Sequence, residues 1–106
     1  MRGVSIDKVT ESFARIIKRK LKGHVKKVIL FGSRARGTAT KDSDYDILVI
    51  VDNREKNVQE VVLDAGVEML NRYDALIGCV LFDETQWERE KPFPLGLNIS
   101  EEGIEL

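Results

Sequence analysis

The chain has a single cysteine, Cys79, so no intramolecular disulfide framework is available to it. Long hydrophobic runs are missing as well: no stretch approaches the roughly 20 consecutive apolar residues of a membrane-spanning helix. The opening segment MRGVSIDKVTESF lacks the uninterrupted apolar core of a secretory signal, and a cytoplasmic protein is the expectation. Charge is balanced, with 17 Lys and Arg against 18 Asp and Glu for a net of −1, so no global positive field gathers nucleic acid. Neither an internal repeat nor a low-complexity segment interrupts the chain. What is present, 106 residues with 42% hydrophobic and 33% charged, is the composition of one globular domain spanning residues 1–106.

Periodicity places the elements. Ser5 is read as an N-cap, and Val9, Phe13, Ile16, Ile17 and Leu21 follow at helical spacing, giving an amphipathic helix that ends near Gly23. Its terminal basic cluster, KRKLKGHVKK at 18–27, complements a helix dipole and requires no polyanionic ligand. Val25 to Phe31 and Tyr45 to Val51 read as strands, the second apolar on both faces after Asp46 and therefore buried on both sides. A second amphipathic helix lies between Arg54 and Arg72, and ALIGCVLF at 75–82 is a third strand in which Gly78 marks a bulge or a close backbone approach. Asp83 begins a short helix, Pro92 and Pro94 interrupt the chain beyond it, and NISEEGIEL is read as a last turn with an exposed tail. This order predicts an α/β (α+β) fold, a short mixed β-sheet with helices packed on it.

Chemistry concentrates in LFGSRARGTATKDSDYDILVIVD, residues 30–52. A strand that runs into Gly32-Ser33 turns tightly, and the bare glycine lets a bulky anion approach the hydroxyl and N–H donors of the corner. The nucleotide-binding P-loop pattern is absent, and GSRARG instead offers guanidinium groups at Arg34 and Arg36. Asp44 and Asp46, two residues apart at the start of a strand, emerge on one face and form a hard-oxygen pair suited to Mg2+ or Mn2+. Each feature alone is ordinary turn chemistry; their combination, with ten residues between Ser33 and Asp44, is not.

That spacing resembles the signature of the DNA polymerase beta-like nucleotidyltransferase superfamily, in its minimal nucleotidyltransferase branch. The resemblance implies a palm-like nucleotidyltransferase fold, Gly32 and Ser33 on the β- and γ-phosphates, metals on Asp44 and Asp46, and transfer of an NMP group from an NTP, ATP foremost, with release of pyrophosphate. Arg36 occupies a family-typical position, whereas Arg34 is left pointing to solvent.

Family enzymes carry a third carboxylate on the following strand. Here Cys79 falls at that position by a weak local match, while Asp74, five residues earlier, lies on the opposite face unless a bulge near Gly78 reverses the phase. A thiolate is a poor magnesium ligand, and a small buried hydrophobe is the plainer reading of Cys79. His24 reads as a boundary residue, and Trp87 and Phe93 are open to two readings, stacking a base or packing in an amphipathic helix and a loop anchor. Three functions remain open: an active nucleotidyltransferase, an antitoxin-like partner of a HEPN-domain protein, and a nucleotide-binding pseudoenzyme. A small domain with an apolar C-terminal segment also makes a homodimer a candidate assembly.

Overall fold

The computed structural model describes residues 6–106, so the Ser5 cap lies outside the described residues. Helix α1, Lys8–Lys20, is capped by Asp7, whose side chain accepts from the Thr10 N–H at 2.9 Å. Lys18, Arg19 and Lys20 fill its last turn, where they complement the dipole. Strand β1, Val25–Phe31, leads to a single helical turn α2, Ser33–Arg36, and a loop delivers the chain to β2, Tyr45–Val51. Helix α3, Lys56–Tyr73, crosses to β3, Ile77–Asp83. Helix α4, Glu84–Glu90, begins at Asp83 with a reciprocal cap: the Asp83 carboxylate accepts from the Gln86 N–H and the Gln86 side chain accepts from the Asp83 N–H.

The last segment differs from its sequence reading. Pro94 does not interrupt a helix; it occupies the first turn of α5, Pro94–Glu102, where a missing N–H costs nothing. The tail is not free either, because β4, Ile104–Glu105, pairs with β1 and the Leu106 N–H donates to the Val28 carbonyl at 2.8 Å.

Four strands form one mixed sheet in the order β3-β2-β1-β4. Strands β1 and β2 are antiparallel, β2 and β3 parallel, and β1 and β4 antiparallel. Alternation along β2 divides the core between the two faces. Tyr45, Ile47, Val49 and Val51 join Phe13, Ile17, Val58 and Met69 from α1 and α3, whereas Leu48 and Ile50 join Ile99 and the partly buried Trp87 beneath α4 and α5. A Ser12–Tyr73 hydroxyl pair at 3.0 Å ties α1 to α3. Among the described residues, no helix is long and apolar enough to cross a membrane. The central strand's pleat therefore decides which of its side chains belong to the core and which, at its leading end, are left for chemistry.

Candidate active site at the glycine-serine corner

Asp46 is the even-numbered residue at the leading end of β2, on the face that Leu48 and Ile50 continue toward α4 and α5. Its backbone is aligned with Phe31 on one side and Gly78 on the other. Gly32 leaves the space that its carboxylate fills, and Gly78 relieves a tight contact on the other side. A Cβ at Gly32 would lie 2.2 Å from Asp46 Oδ2, and one at Gly78 would lie 3.3 Å from Oδ1. Gly32 also has φ +75 and ψ −159, a conformation that side chains with a Cβ avoid. The glycine of the corner is thus required by the fold for a reason the sequence does not state: it admits the second aspartate.

Burial raises the Asp46 pKa; the neighbouring Asp44 charge pushes it further, Arg36 opposes, and Glu102 adds a smaller push upward. Asp44 precedes the strand and is exposed, so solvent reaches the pair from its side. Ser33 opens α2 next to Gly32, and Arg36, its side chain about half exposed, closes that turn before Gly37 ends it in the left-handed conformation. The structure brings Gly32, Ser33, Arg36, Asp44 and Asp46 to one end of the β1–β2 pair.

Arg34 departs from its sequence reading. Its side chain is only 16% exposed, because the guanidinium lies 3.8 Å from the centroid of Tyr45 and donates to the carbonyls of Ser43, Thr40 and Lys41 at 2.8, 3.2 and 3.4 Å. Asp7 stands 3.6 Å from the same group and accepts from the Tyr45 hydroxyl. Arg34 thereby clamps the loop that ends at Asp44, using the planar fork that lysine lacks.

Neither sequence-derived candidate for the third carboxylate stands at the site. The β2–β3 register runs unbroken from Tyr45↔Ile77 to Val51↔Asp83, so no bulge reverses the phase. Cys79 is aligned with Ile47 and packs with it on the α1/α3 side of the sheet, facing away from Asp46. Burial pushes its thiol up to about 12, which keeps it protonated at neutral pH. Asp74 is outside β3 altogether, capping α3 at φ 55 with an exposed side chain. The residue beside Asp46 on its own face is Gly78, which supplies no side chain. His24 lies at the other end of β1, where its ring nitrogen is 3.2 Å from Asp52. Trp87 packs against the sheet with Leu48, Ile50 and Ile99, and Phe93 precedes α5 exposed.

Glu102 was not legible as a site residue. It comes from the last turn of α5, and its Oε2 accepts from the Gly32 N–H at 2.6 Å. Arg36 Nη1 donates to both oxygens, at 3.2 and 3.0 Å. The available sequence signal was faint: adjacent acids in the last turn of a helix, with no basic residue there, oppose the dipole and imply a partner elsewhere.

Among the described residues, no group of three or more His, Cys, Asp and Glu side chains is arranged to hold a metal. A cation at this corner would rest on Asp44 and Asp46. Magnesium fits that donor set, since it takes one or two carboxylates and completes its shell with water and phosphate oxygens.

Comparison with known proteins agrees with the motif. Over 97 residues, 92% of this chain and 93% of the relative, the sequence is 33% identical to "Putative protein adenylyltransferase MJ0604" of Methanocaldococcus jannaschii. A solved structure described as "Crystal structure of the toxin-antitoxin with AMP-PNP" superposes with a TM-score of 0.61 at 21% identity, covering 90% of this chain and 70% of that one. A second, of a point mutant of the toxin-antitoxin MntA-HpeT, gives a TM-score of 0.60 at 20% identity over 96% of this chain and 72% of that one. These two likenesses establish the fold. Residues 10–91 match the family model described as "Nucleotidyltransferase domain", and on that match and the 33% identity the chain belongs to the nucleotidyltransferase domain family.

Proposed function

We propose that this chain transfers a nucleoside monophosphate from an NTP, with ATP the leading candidate, to an acceptor hydroxyl. The observation that carries the reading is the cradle around Asp46. Gly32 is needed to admit a half-buried carboxylate beside Asp44 and the Ser33–Arg36 turn, and Gly78 keeps its other side open, an arrangement that stability alone does not reward. In this reading Gly32, Ser33 and Arg36 hold the β- and γ-phosphates, and Asp44 and Asp46 hold Mg2+ or Mn2+. The bound metal neutralises charge on the phosphates and on the leaving pyrophosphate. The acceptor oxygen forms a bond to the α-phosphorus, the bond from that phosphorus to pyrophosphate breaks, and the hydroxyl proton leaves to solvent. Arg34 acts only indirectly, by holding the 40–43 backbone that leads into Asp44.

The test is transfer of label from ATP and the other NTPs, with Mg2+ or Mn2+, to protein and small-molecule acceptors. Pyrophosphate release that disappears in Asp44→Asn and Asp46→Asn supports the proposal. Absence of release from the wild type with every nucleotide, metal and acceptor sinks it.

Gly78 favours a second reading, binding without turnover, because no carboxylate stands beside Asp46 on β3. Tight Mg-ATP binding with no transfer, and transfer gained in Gly78→Asp, would select it.

The acceptor itself is proposed to be a hydroxyl on a partner protein, with a HEPN-domain protein as the first to try. The name of the M. jannaschii relative supports a protein acceptor. So does an exposed apolar stripe, Leu63, Val67 and Leu70 on α3 with Leu76 beside it. Co-expression with such a partner and mass analysis for a nucleotide adduct tests this choice of acceptor.

A further inference from the structure

Resting on that reading of the corner, we propose that Glu102 is an intramolecular competitor of the nucleotide, occupying the donors of the phosphate site until a polyphosphate displaces it. The two oxygens of Glu102 take the Gly32 N–H and the Arg36 guanidinium, an N–H and a cation that the phosphates would use. A carboxylate held by a backbone N–H and a guanidinium copies the contacts of a phosphate oxygen pair. The Gly32 N–H has one proton to donate, so a phosphate oxygen and Glu102 Oε2 exclude one another there.

Three features make the docked carboxylate displaceable. First, Glu102 ends a helix whose last turn contains no basic residue, so the α5 dipole repels its charge. Second, Asp44 and Asp46 add like charge at the same corner, and Glu102 itself contributes to the electrostatic burden on Asp46. Third, the backbone beneath Glu102 is anchored independently of its side chain. The Gly103 N–H donates to the Ile99 carbonyl at 2.8 Å, Ile104 and Glu105 pair with Leu30 and Ile29, and a Cβ at Gly103 would meet Ile29 Cγ2 at 2.6 Å. A change of side-chain rotamer therefore frees the corner without undocking α5 or β4. The Arg36 side chain is 51% exposed, and an incoming polyphosphate can reach it from solvent as Glu102 leaves.

Calorimetric titration of Mg-AMP-PNP into the wild type, Glu102→Gln and Glu102→Ala decides the matter. The expected result is about tenfold tighter binding in both variants, about 1.4 kcal/mol. Glu102→Gln keeps the shape and one acceptor, so it preserves the fold if Glu102→Ala does not. In the wild type, amide NMR follows Gly32: its N–H resonance should shift toward that of the ligand-bound variants as nucleotide is added, while the amides of α5 and β4 keep their protection. Equal or weaker binding in the variants beside a wild type that binds would overturn the competitor role and make Glu102 a positioning residue for Arg36. If all three folded proteins fail to bind Mg-AMP-PNP, the phosphate-corner reading falls and this inference falls with it.

Discussion

Asp46 shows how a single carboxylate can shape the residues around it. One of its oxygens lies where a side chain at 32 would begin, the other would touch a Cβ at 78 tightly at 3.3 Å, and Gly32 has in addition a backbone conformation reserved for glycine. Gly32→Ala is expected to lose about 1–3 kcal/mol from the backbone alone and more from the 2.2 Å overlap with Asp46, read as a lower thermal midpoint. Asp7 acts at the same scale in the opposite direction. Burial alone would raise its pKa, but the Thr10 backbone N–H, the Tyr45 hydroxyl and the Arg34 charge together hold it below the ordinary carboxylate value. A depressed pKa contributes stability that is fully present above the unfolded-state value and is lost as pH falls through the folded-state value. Asp7→Asn should therefore lower the thermal midpoint at neutral pH. The gap from the wild type should close as the pH falls from the unfolded-state value of Asp7 through its lower folded-state value, and a gap that persists there would show that the charge is not responsible.

Among the elements, the loop from Gly37 to Asp44 has little apolar content to order it, and Arg34 does so by bonding to backbone. Three carbonyls and the Tyr45 ring converge on one guanidinium. Arg34→Lys keeps the charge and loses the fork, with an expected cost of about 1–3 kcal/mol. Amide exchange should accelerate over 38–44 while β1 and β2 keep their protection. Strand β3 carries a second test. Cys79→Asp places a carboxylate on the α1/α3 side, among Ile47, Leu81 and their neighbours, and should destabilise by about 1–3 kcal/mol or more without any gain in turnover. Gly78→Asp puts the acid beside Asp46, where like charges meet. Its thermal midpoint should drop in chelator and recover with Mn2+, by a larger metal-induced increment than the wild type shows.

At the scale of the molecule, the sheet's α1/α3 side and its α4/α5 side each have a core, and the described residues leave an apolar region at the β3 edge uncovered. Leu63 and Leu76 are 68% and 56% exposed, and β3 beside them is an edge strand. Replacing both leucines by lysine should change the thermal midpoint by only a few degrees, since exposed side chains contribute little to stability. Sedimentation should then show loss of association, either with a second copy or with the proposed partner. An unaltered sedimentation profile of a wild type that does associate would remove this stripe from the interface.

The local sequence by itself determined the elements from α1 to α4, apart from the single turn α2, and the family; α5 and β4 were not among them. Apolar spacing in α1 and α3, the β-branched run of β2 and the Asp83 cap depend on neighbours a few residues away, and so does the GSRARG and DSDYD pattern. Contacts between residues far apart in the chain were decided only by tertiary structure. The face of β3 that meets Asp46 depends on inter-strand register, and an unbroken parallel ladder put Gly78 there in place of Cys79 or Asp74. Arg34 turned inward because Tyr45 and the 40–43 backbone offer a ring and three carbonyls that no spacing rule encodes. Glu102 is separated from Gly32 by 70 positions, and its place on the corner follows from α5 and β4 docking against β1. Periodicity reports the surroundings a side chain prefers, whereas the register of the sheet and the docking of α5 choose the partner it meets.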